Sequence, residues 1–333
     1  MRALLGLPVA AASRLRRAAY ARGLLHATRL AGPVISVGNL SVGGRGKTPV
    51  VARVCELLRE EGLAVAVLSR GYKGAFRGDC LVVSDGLSVT ASAALAGDEP
   101  VMLARQLPGV VVAVGRKRGL VGQAVELRFG ERVHVLDDGF QHLSLHRDLD
   151  VVCVDVRDLS DAPLPGGHLR EPLSALARAD LVLLSGTEGA PAESGAALEA
   201  LVGKERVLRL GRRVLGFVAR DGAAHAPPCK PFLLAAIAAP ERFLADAKAE
   251  AGEVVGTAFF RDHHRFTTVE LDAAARRARD AGADALLTTA KDEVRLPEKL
   301  DLGLPVLVLR IAALIDGEPL LRARLRAAVR RPA

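Results

Sequence analysis

Residues 34–49 read Val34-Ile-Ser-Val-Gly-Asn-Leu-Ser-Val-Gly-Gly-Arg-Gly-Lys-Thr-Pro49. A short apolar run precedes a glycine-rich turn, and the turn ends in Lys47-Thr48 where a helix can begin, because Pro49 suits a first helical turn. Glycines let backbone N–H groups curl around phosphate oxygens, a helix N-terminus adds partial positive charge, and a lysine reaches the terminal phosphates. The stretch predicts a variant phosphate-binding loop, since the usual pattern has glycine where this chain has Ser41.

Phosphate loops need an acidic residue at the end of a neighbouring apolar strand to hold Mg²⁺. The run Val133-His-Val-Leu-Asp137-Asp138 supplies two carboxylates in that context. A competing interpretation is that this pair only caps the turn before Gly139. We expect Mg²⁺ contacts from Thr48 and from one of these carboxylates. The predicted nucleotide-binding residues are Ser41, Val42, Gly43, Gly44, Arg45, Gly46, Lys47 and Thr48.

Short apolar runs alternate with segments of helical length from about residue 33 onward. This alternation is typical of parallel strands joined by crossover helices, and continuous apolar strands suit a sheet covered on both faces. The fold class is therefore α/β, P-loop NTPase-like, with a mostly parallel sheet flanked by helices. The predicted strands of the first half are Val34–Val37, Ala64–Leu68, Leu81–Ser84, Val110–Val114, Val133–Leu136, Val151–Val154 and Leu181–Leu184, and its helices are Pro49–Glu61, Glu99–Gln106 and Arg116–Leu127.

A chain of 333 residues exceeds what one hydrophobic core usually holds, so we expect two lobes. Two short strands are predicted around Gly211-Arg212-Arg213, which we interpret as a hinge. Beyond it the alternation resumes, which predicts a second, smaller α/β lobe ending in a basic, solvated helix at Leu320–Arg331. The predicted divisions are an N-terminal amphipathic helix at 1–28, a P-loop core at 29–204, a two-stranded linker at 205–218 and a C-terminal lobe at 219–333.

The chain carries 46 Lys and Arg against 38 Asp and Glu, and the net charge of +8 favours an anionic partner. Nucleic acid is disfavoured because only 3% of residues are aromatic and none is tryptophan, which leaves few side chains on which bases could stack. The four cysteines form no CxxC pair, which argues against a zinc site or a disulfide framework and fits a reducing compartment. No obligate protein partner is indicated.

No apolar run of the sequence reaches the roughly 18–20 residues that a membrane-spanning helix needs. Residues 3–12 are mostly apolar, and arginines follow at positions 14, 16, 17 and 22. This pattern favours a helix in the membrane interface, with its arginines on anionic lipid. Two alternatives stay open: a secretory signal, disfavoured because arginines stand where cleavage is expected, and an ordinary helix packed on the body of the protein.

Two other classes of phosphate-loop protein are disfavoured by single residues. GTPases read their base with an N-K-x-D motif, and Asn39 is the only asparagine in the chain. ParA-like ATPases carry a lysine just before the paired glycines of the loop, where this chain has Val42. A kinase therefore fits the loop better than either class.

Several motifs together resemble those of the tetraacyldisaccharide 4'-kinase family, the lipid A 4'-kinases. They are Gly43-Gly44-Arg-Gly46-Lys47-Thr48-Pro49, Ser69-Arg70-Gly71-Tyr72, Gly97-Asp98-Glu99-Pro100, Asp137-Asp138-Gly139-Phe140-Gln141-His142, Leu169-Arg170-Glu171-Pro172, Pro240-Glu-Arg-Phe243, Phe260-Arg-Asp262-His263-His264-Arg-Phe266 and Thr289-Ala-Lys291-Asp292. The matches run through nearly the whole chain in the family's order. One departure is Ala236 before Ile237, where the family often has glycine.

The resemblance implies transfer of the γ-phosphate of ATP to the 4'-hydroxyl of a tetraacylated glucosamine disaccharide 1-phosphate. The product would be lipid IVA, made at the cytoplasmic face of the bacterial inner membrane. It also implies that Asp98 is the catalytic base, that His263 shares or orients its proton, with His264 as the fallback, and that Lys47 acts on the phosphates. The implied Mg²⁺ ligands are Thr48, Asp137, Asp138 and Glu99, and the implied substrate contacts are Asn39, Arg70, Tyr72, Arg118, Gln141, His142 and Arg170.

These assignments have plainer alternatives. Asp98 could simply cap the helix that follows it, which aspartate does well. Each arginine could be an exposed surface charge, and Arg116 competes with Arg118. For the function as a whole, the alternatives are a regulatory P-loop ATPase that binds membrane or nucleic acid through its positive charge, and a soluble small-molecule kinase.

Overall fold

The computed structural model describes residues 7–43, 46–187 and 192–330. The strands are β1 (Val34–Asn39), β2 (Val65–Ser69), β3 (Leu81–Asp85), β4 (Val111–Val114), β5 (Val133–Asp137), β6 (Leu149–Asp155), β7 (Leu181–Ser185), β8 (Val207–Ala219), β9 (Ala224–His225), β10 (Pro231–Ala235), β11 (Gly256–Phe259), β12 (Ala285–Thr289) and β13 (Val306–Asp316). The α-helices are α1 (Leu7–Ala21), α2 (Lys47–Glu60), α3 (Ala93–Ala96), α4 (Asp98–Gln106), α5 (Arg118–Phe129), α6 (Ala192–Val202), α7 (Pro240–Glu250), α8 (Thr268–Asp280), α9 (Ala290–Glu293) and α10 (Glu318–Val329). Most predicted elements begin and end within about two residues of these bounds.

The strands join one sheet in the order β11-β10-β12-β13-β8-β7-β6-β1-β5-β2-β4-β3, and β9 pairs with β8. Pairing is antiparallel between β3 and β4, between β8 and β9, and between β8 and β13, and it is parallel elsewhere. Every residue of β1, β2, β4, β5 and β6 is buried, as expected of strands that helices cover on both faces. This confirms the predicted α/β, mostly parallel architecture.

The prediction of two short strands around Gly211-Arg212-Arg213 is wrong, because residues 207–219 form the single strand β8. This strand pairs with β13 along most of its length, and Gly211 lies opposite Leu314 in extended backbone instead of in a turn. Since β8 also pairs with β7, and β13 with β12, the two lobes share a sheet. The partner strand lies about a hundred residues downstream, so local sequence does not reveal the pairing.

The C-terminal helix α10 packs on the first lobe, which corrects the predicted C-terminal lobe of 219–333. Leu321 and Leu325 are buried in the same core as residues of β1 and α2. Arg322 Nη2 donates to Glu60 Oε2, at the end of α2, at 2.5 Å. The helix therefore has a buried apolar side as well as the basic side that the sequence predicts.

Helix α1 lies against loops that carry predicted site residues. Ser13 Oγ donates to Glu171 Oε2 at 2.9 Å, and Arg16 Nη1 donates to the Gln141 carbonyl oxygen at 3.5 Å. Leu15, on the same helix, is nevertheless 72% exposed. The helix thus has one side packed on the body and an apolar side chain in solvent. None of the described helices is long and apolar enough to cross a membrane.

Candidate active site

The carboxyl ends of three strands form the floor of the candidate site. β1 and β2 both pair parallel with β5, so the ends of these strands lie side by side. The loops that follow them carry Lys47, Asp138 and Tyr72, which are far apart in sequence. Open α/β sheets bind their ligands at this edge. The predicted motifs therefore converge on one place.

The first part of the phosphate loop is fixed by contacts within the protein. Ser41 is fully buried and its Oγ donates to Asp158 Oδ2 at 3.2 Å. The Val42 N–H donates to the His168 carbonyl oxygen at 2.8 Å. In this structure these groups of Ser41 and Val42 anchor the loop, and their nucleotide contacts stay a prediction.

Gly43 and Gly46, in the second part of the loop, are exposed next to the start of α2. Gly43 and Gly46 have φ angles of 101° and 74°, which glycine adopts at little cost. The first turn of α2, beginning at Lys47, carries no acidic side chain. The predicted contacts of Gly44 and Arg45 lie outside the described residues. This loop and helix start have the features of an anion-binding N-terminus.

Lys47 is held by side chains from two neighbouring strand ends. Its Nζ donates to Asn39 Oδ1 at 3.0 Å and to Asp138 Oδ1 at 2.5 Å. Arg170 Nη1 donates to the other Asp138 oxygen at 2.7 Å. Burial opposes ionisation of Asp138, but the charges of Lys47 and Arg170 outweigh burial and lower its pKa. Asn39 is fully buried and its side chain contacts Lys47, while its substrate contact stays a prediction.

Two predicted site residues adopt backbone conformations that cost free energy. Asp138 has a φ of 56° and His263 a φ of 65°, both in the left-handed region. For residues other than glycine this region costs roughly 1 kcal/mol or more, and such residues cluster at functional sites. The surrounding contacts of both side chains hold them there.

Asp137 is the buried carboxylate of the pair. Its Oδ2 accepts a hydrogen bond from Ser69 Oγ at 2.9 Å, and its buried Oδ1 has no hydrogen-bond partner among the described residues. Burial is the main cause, and the negative charge of Glu99 the second, that raises the pKa of Asp137 to about 7. An unpaired carboxylate oxygen near a second carboxylate suits Mg²⁺, which takes few protein ligands and keeps water and phosphate oxygens. The residues present therefore fit this ion, although no group of three His, Cys, Asp or Glu gathers within the described ranges.

We expect Asp137→Asn to stabilise the protein in the absence of nucleotide and metal while removing its activity. Because the pKa is raised from 3.8 to about 7, the folded protein holds a proton that the unfolded chain releases, and stability falls as pH rises between these values. Asparagine removes this loss and can still accept the Ser69 bond. The melting temperature should rise by roughly 3–5 °C at about pH 8, and by less at about pH 5. An unchanged or lower melting temperature at the higher pH contradicts the account.

The second lobe reaches the site through His263, in the loop after β11. Its Nδ1 lies 2.9 Å from Asp98 Oδ2. Gly97 is the cap residue of α4 and Asp98 is its first residue, with Oδ2 in contact with His263 and Arg295. Asp98 is therefore not the capping residue that the plainer alternative expects. Lys291 Nζ lies 3.2 Å from His263 Nε2. Since lysine can only donate, we infer that Nε2 accepts and that the proton on Nδ1 is donated to Asp98.

The other predicted histidine points elsewhere, and one arginine was missed. His264 Nε2 lies 3.0 Å from both carboxylate oxygens of Glu270, and its ring stacks on Phe260. Arg295 Nε donates to Asp98 Oδ2 at 2.9 Å. No sequence signal marks Arg295, because folding alone brings it to Asp98.

The departure at Ala236 leaves the backbone intact. Its N–H donates to Asp292 Oδ1 and its carbonyl oxygen accepts from the His263 N–H, each at 3.1 Å. Its φ is not positive, so the position does not require glycine.

A group of positively charged side chains lies near Asp137 and Asp138. Arg118 is 7% exposed, forms no ion pair with the described residues, and has a buried Nε without a partner among them. Burial and the neighbouring Arg70 lower its pKa to about 10. Burial and the charge of Arg118 lower the pKa of His142 to about 3, so this imidazole is neutral. Arg116 is exposed, which makes Arg118 the better candidate for an anionic ligand.

Two further predicted substrate residues, Gln141 and Tyr72, contact Arg170 and His263. Gln141 Nε2 donates to the Asn39 carbonyl oxygen at 2.8 Å, and its Oε1 accepts from Arg170 at 3.4 Å. Tyr72 is 64% exposed, and its ring lies edge-on to His263 with the centroids 6.0 Å apart. An exposed aromatic ring of this kind can pack on a bulky ligand.

The phosphate loop, the acidic strand end and the carboxylate–histidine pair define a P-loop nucleotide-binding protein of the phosphotransferase type. A family model for tetraacyldisaccharide-1-P 4'-kinase matches residues 2–330, and the chain belongs to this family, as its motifs predict.

Similar proteins agree with this assignment. The tetraacyldisaccharide 4'-kinase of Geobacter metallireducens is 41% identical over 330 residues, covering 96% of this chain and 95% of the relative. That of Anaeromyxobacter dehalogenans strain 2CP-C is 44% identical, covering 96% and 87%. The crystal structure of LpxK from Aquifex aeolicus in complex with ATP is 30% identical, with a TM-score of 0.81 and coverage of 97% of both chains.

Proposed function

We propose that this tetraacyldisaccharide 4'-kinase transfers the γ-phosphate of ATP to the 4'-hydroxyl of its lipid disaccharide with Asp98 as the general base. The observation that carries the proposal is the carboxylate of Asp98. One oxygen is held by His263 and Arg295, and the other has no hydrogen-bond partner among the described residues. A base needs such a free acceptor within reach of the reacting hydroxyl. Family membership gives the reaction, and this geometry supports Asp98 as its base.

The phosphates of ATP belong on the exposed part of the loop. The backbone around Gly43 and Gly46 and the start of α2 present N–H groups and partial positive charge, and Lys47 adds a full charge. Phosphoryl transfer depends mainly on such positioning and charge neutralisation. Asn39 and Asp138 keep Lys47 in place until the nucleotide binds.

Thr48 and Asp137 would hold Mg²⁺, with Glu99 beside them. The ion supplies neutralisation of the phosphate charge when bound. Asp138 forms ion pairs with Lys47 and Arg170 in this structure. Of the two aspartates we therefore assign Asp137 to the metal.

The disaccharide belongs beside the cationic group that includes Arg118. Arg70, Arg118 and Arg170 provide cations for an anionic acceptor, and guanidinium groups suit phosphate oxygens. Gln141 and His142 contribute neutral polar groups, and Tyr72 offers an exposed ring next to His263.

The N-terminal helix is proposed to rest on the cytoplasmic face of the inner membrane, where an acylated acceptor resides. Leu15 and Leu24 are each 72% exposed, and Arg14 and Arg22 lie near them in sequence. Exposed leucines beside arginines suit the boundary of an anionic bilayer. The contacts of Ser13 and Arg16 would keep this helix next to the proposed acceptor site.

We expect Leu15→Glu combined with Leu24→Glu to weaken binding to anionic phospholipid vesicles by roughly tenfold or more, since burying one leucine is worth about 1.5 kcal/mol or more. Co-sedimentation measures this. Val269→Glu is a matched control, because Val269 is 74% exposed on the second lobe. If vesicle binding falls equally in the leucine variant and in Val269→Glu, or in neither, α1 does not bind the membrane interface.

The reaction itself is tested with purified protein, γ-labelled ATP and lipid disaccharide 1-phosphate. The label should appear in the lipid and depend on Mg²⁺. A regulatory ATPase would instead release labelled phosphate, stimulated by DNA or bare anionic vesicles, and leave the lipid unlabelled. A soluble small-molecule kinase would label a water-soluble sugar and ignore the lipid.

A further inference from the structure

Arg295 links the second lobe to the proposed base, and no motif assigns it a role. It follows α9 and its side chain is 3% exposed. Its Nε donates to Asp98 Oδ2 at 2.9 Å, across 197 positions of sequence. Arg295 lies in the second lobe and Asp98 in the first. Their contact therefore exists only when the two lobes are packed together.

Contacts at its far end hold the guanidinium in place. Nη1 donates to Asp292 Oδ1 at 3.0 Å and to the carbonyl oxygens of Ala236 and His264 at 3.1 and 3.3 Å. Asp292 is fully buried and also accepts from the Thr289 hydroxyl at 2.7 Å. Because the guanidinium is planar, the contacts of Nη1 also restrict the direction of Nε. Nε is therefore held with its N–H pointing toward Asp98.

Both donors to Asp98 use the same oxygen. His263 Nδ1 and Arg295 Nε each lie 2.9 Å from Oδ2, while Oδ1 has no such contact within the described part of the chain. Two donors in different directions fix the rotation of the carboxylate about its last bond. They also leave the lone pairs of Oδ1 for an incoming hydroxyl.

The two donors have different surroundings. His263 Nε2 lies 3.2 Å from Lys291 Nζ and 3.7 Å from Asp262 Oδ2, whereas the guanidinium of Arg295 is always charged. Arg295 is the one arginine or lysine among the described residues that forms an ion pair with Asp98. Arg295 therefore supplies both a donor and a permanent charge at Asp98 Oδ2, and the proposal concerns the donor, which fixes the direction of the carboxylate.

We propose that Arg295 is a positioning residue for phosphoryl transfer, holding Asp98 with one oxygen toward the acceptor hydroxyl when the lobes are packed. This inference rests on the proposed role of Asp98 as base. The competing explanation is that Arg295 only neutralises the buried Asp292.

Two substitutions separate these roles. In glutamine, Nε2 stands at the same number of bonds from the backbone as arginine Nε, so Arg295→Gln can keep the donor to Asp98 but loses the charge that faces Asp292. Lysine has a carbon at that place and its charge further out, so Arg295→Lys keeps a cation near Asp292 and loses the donor to Asp98. The unfolding midpoint should therefore be higher in the lysine variant, and kcat should be higher in the glutamine variant.

The experiment measures kcat, both KM values and the unfolding midpoint of each variant. Arg295→Lys should lower kcat roughly 10- to 100-fold, since displacing a reacting group by about 1 Å can cost about 10²-fold. KM for ATP should change little, because the phosphate loop lies in the other lobe. Arg105→Gln is the control: Arg105 joins α4 to Glu293 of α9 by an ion pair without contacting Asp98, and its kcat should stay near that of the wild type.

The inference is overturned if folded Arg295→Lys keeps kcat within about twofold of wild type. It is also overturned if kcat follows the unfolding midpoint in both Arg295 variants, or if Arg105→Gln loses as much kcat as Arg295→Lys. Should Arg295→Gln fail to fold, the lysine variant decides alone. Asp98→Asn is measured in parallel: if it is fully active, the proposed base is wrong as well, whereas an inactive Asp98→Asn beside a normal Arg295→Lys rejects only the positioning role.

Discussion

Asp98→Asn should lower kcat by roughly 10²- to 10⁴-fold, the range that a positioned general base contributes. The amide oxygen can accept from His263 and Arg295 as Oδ2 does, so the side chain should keep its place. The nitrogen then faces the acceptor hydroxyl and cannot take its proton. Binding of ATP and lipid should change little, so the loss should fall on kcat with both KM values nearly retained.

A matched control for this variant is Asp272→Asn, at an exposed position of α8. It should retain wild-type kcat. An Asp98→Asn protein with normal turnover would show that another group accepts the proton, and a loss confined to KM would assign Asp98 to binding instead.

Lys47→Met should lower kcat by roughly 10²- to 10³-fold, the cost of removing one preorganised group that stabilises developing charge. Methionine has a similar length, so the change removes charge more than bulk. It also breaks the bonds from Lys47 to Asn39 and Asp138, which leaves Arg170 as the ion-pair partner of Asp138 among the described residues. KM for ATP should rise as well, because the ammonium binds phosphate before the transition state too.

Lys248→Met is the corresponding control, since Lys248 is exposed on α7 of the second lobe. Its kinetics should match the wild type. If Lys47→Met binds and turns over ATP normally, the glycine-rich turn is not the nucleotide site.

The sequence predicts most of the fold because its signals are local. The apolar run Val34–Val37 and the glycine-rich turn before Lys47 predict a strand, a loop and a helix in this order, and the structure contains each of them. The antiparallel pairing of β8 with β13 was missed, since its hydrogen bonds join residues about a hundred positions apart. Burial of Leu321 and Leu325 against the first lobe depends on the same distant pairing.

In the candidate site, too, residues with local sequence motifs can be predicted, and contacts between distant residues cannot. Motifs identify Asp98, His263 and Lys47, and the structure brings the first two into contact. Whether a polar group faces a ligand or its own protein depends on three-dimensional packing, which is why Asn39 and Ser41 were assigned to ligands although both are buried. Arg295 carries no motif and is found only through its contact with Asp98.

The central claim is that Asp98 Oδ1 accepts the proton of the acceptor hydroxyl. The most direct measurement is a crystal structure of the protein with Mg²⁺, a non-hydrolysable ATP analogue and lipid disaccharide 1-phosphate. The account predicts that the 4'-hydroxyl lies within about 3.2 Å of Oδ1 and in line with the terminal phosphate, while His263 and Arg295 still hold Oδ2. A 4'-hydroxyl bound to a different base, with Asp98 turned away from the acceptor, would contradict it.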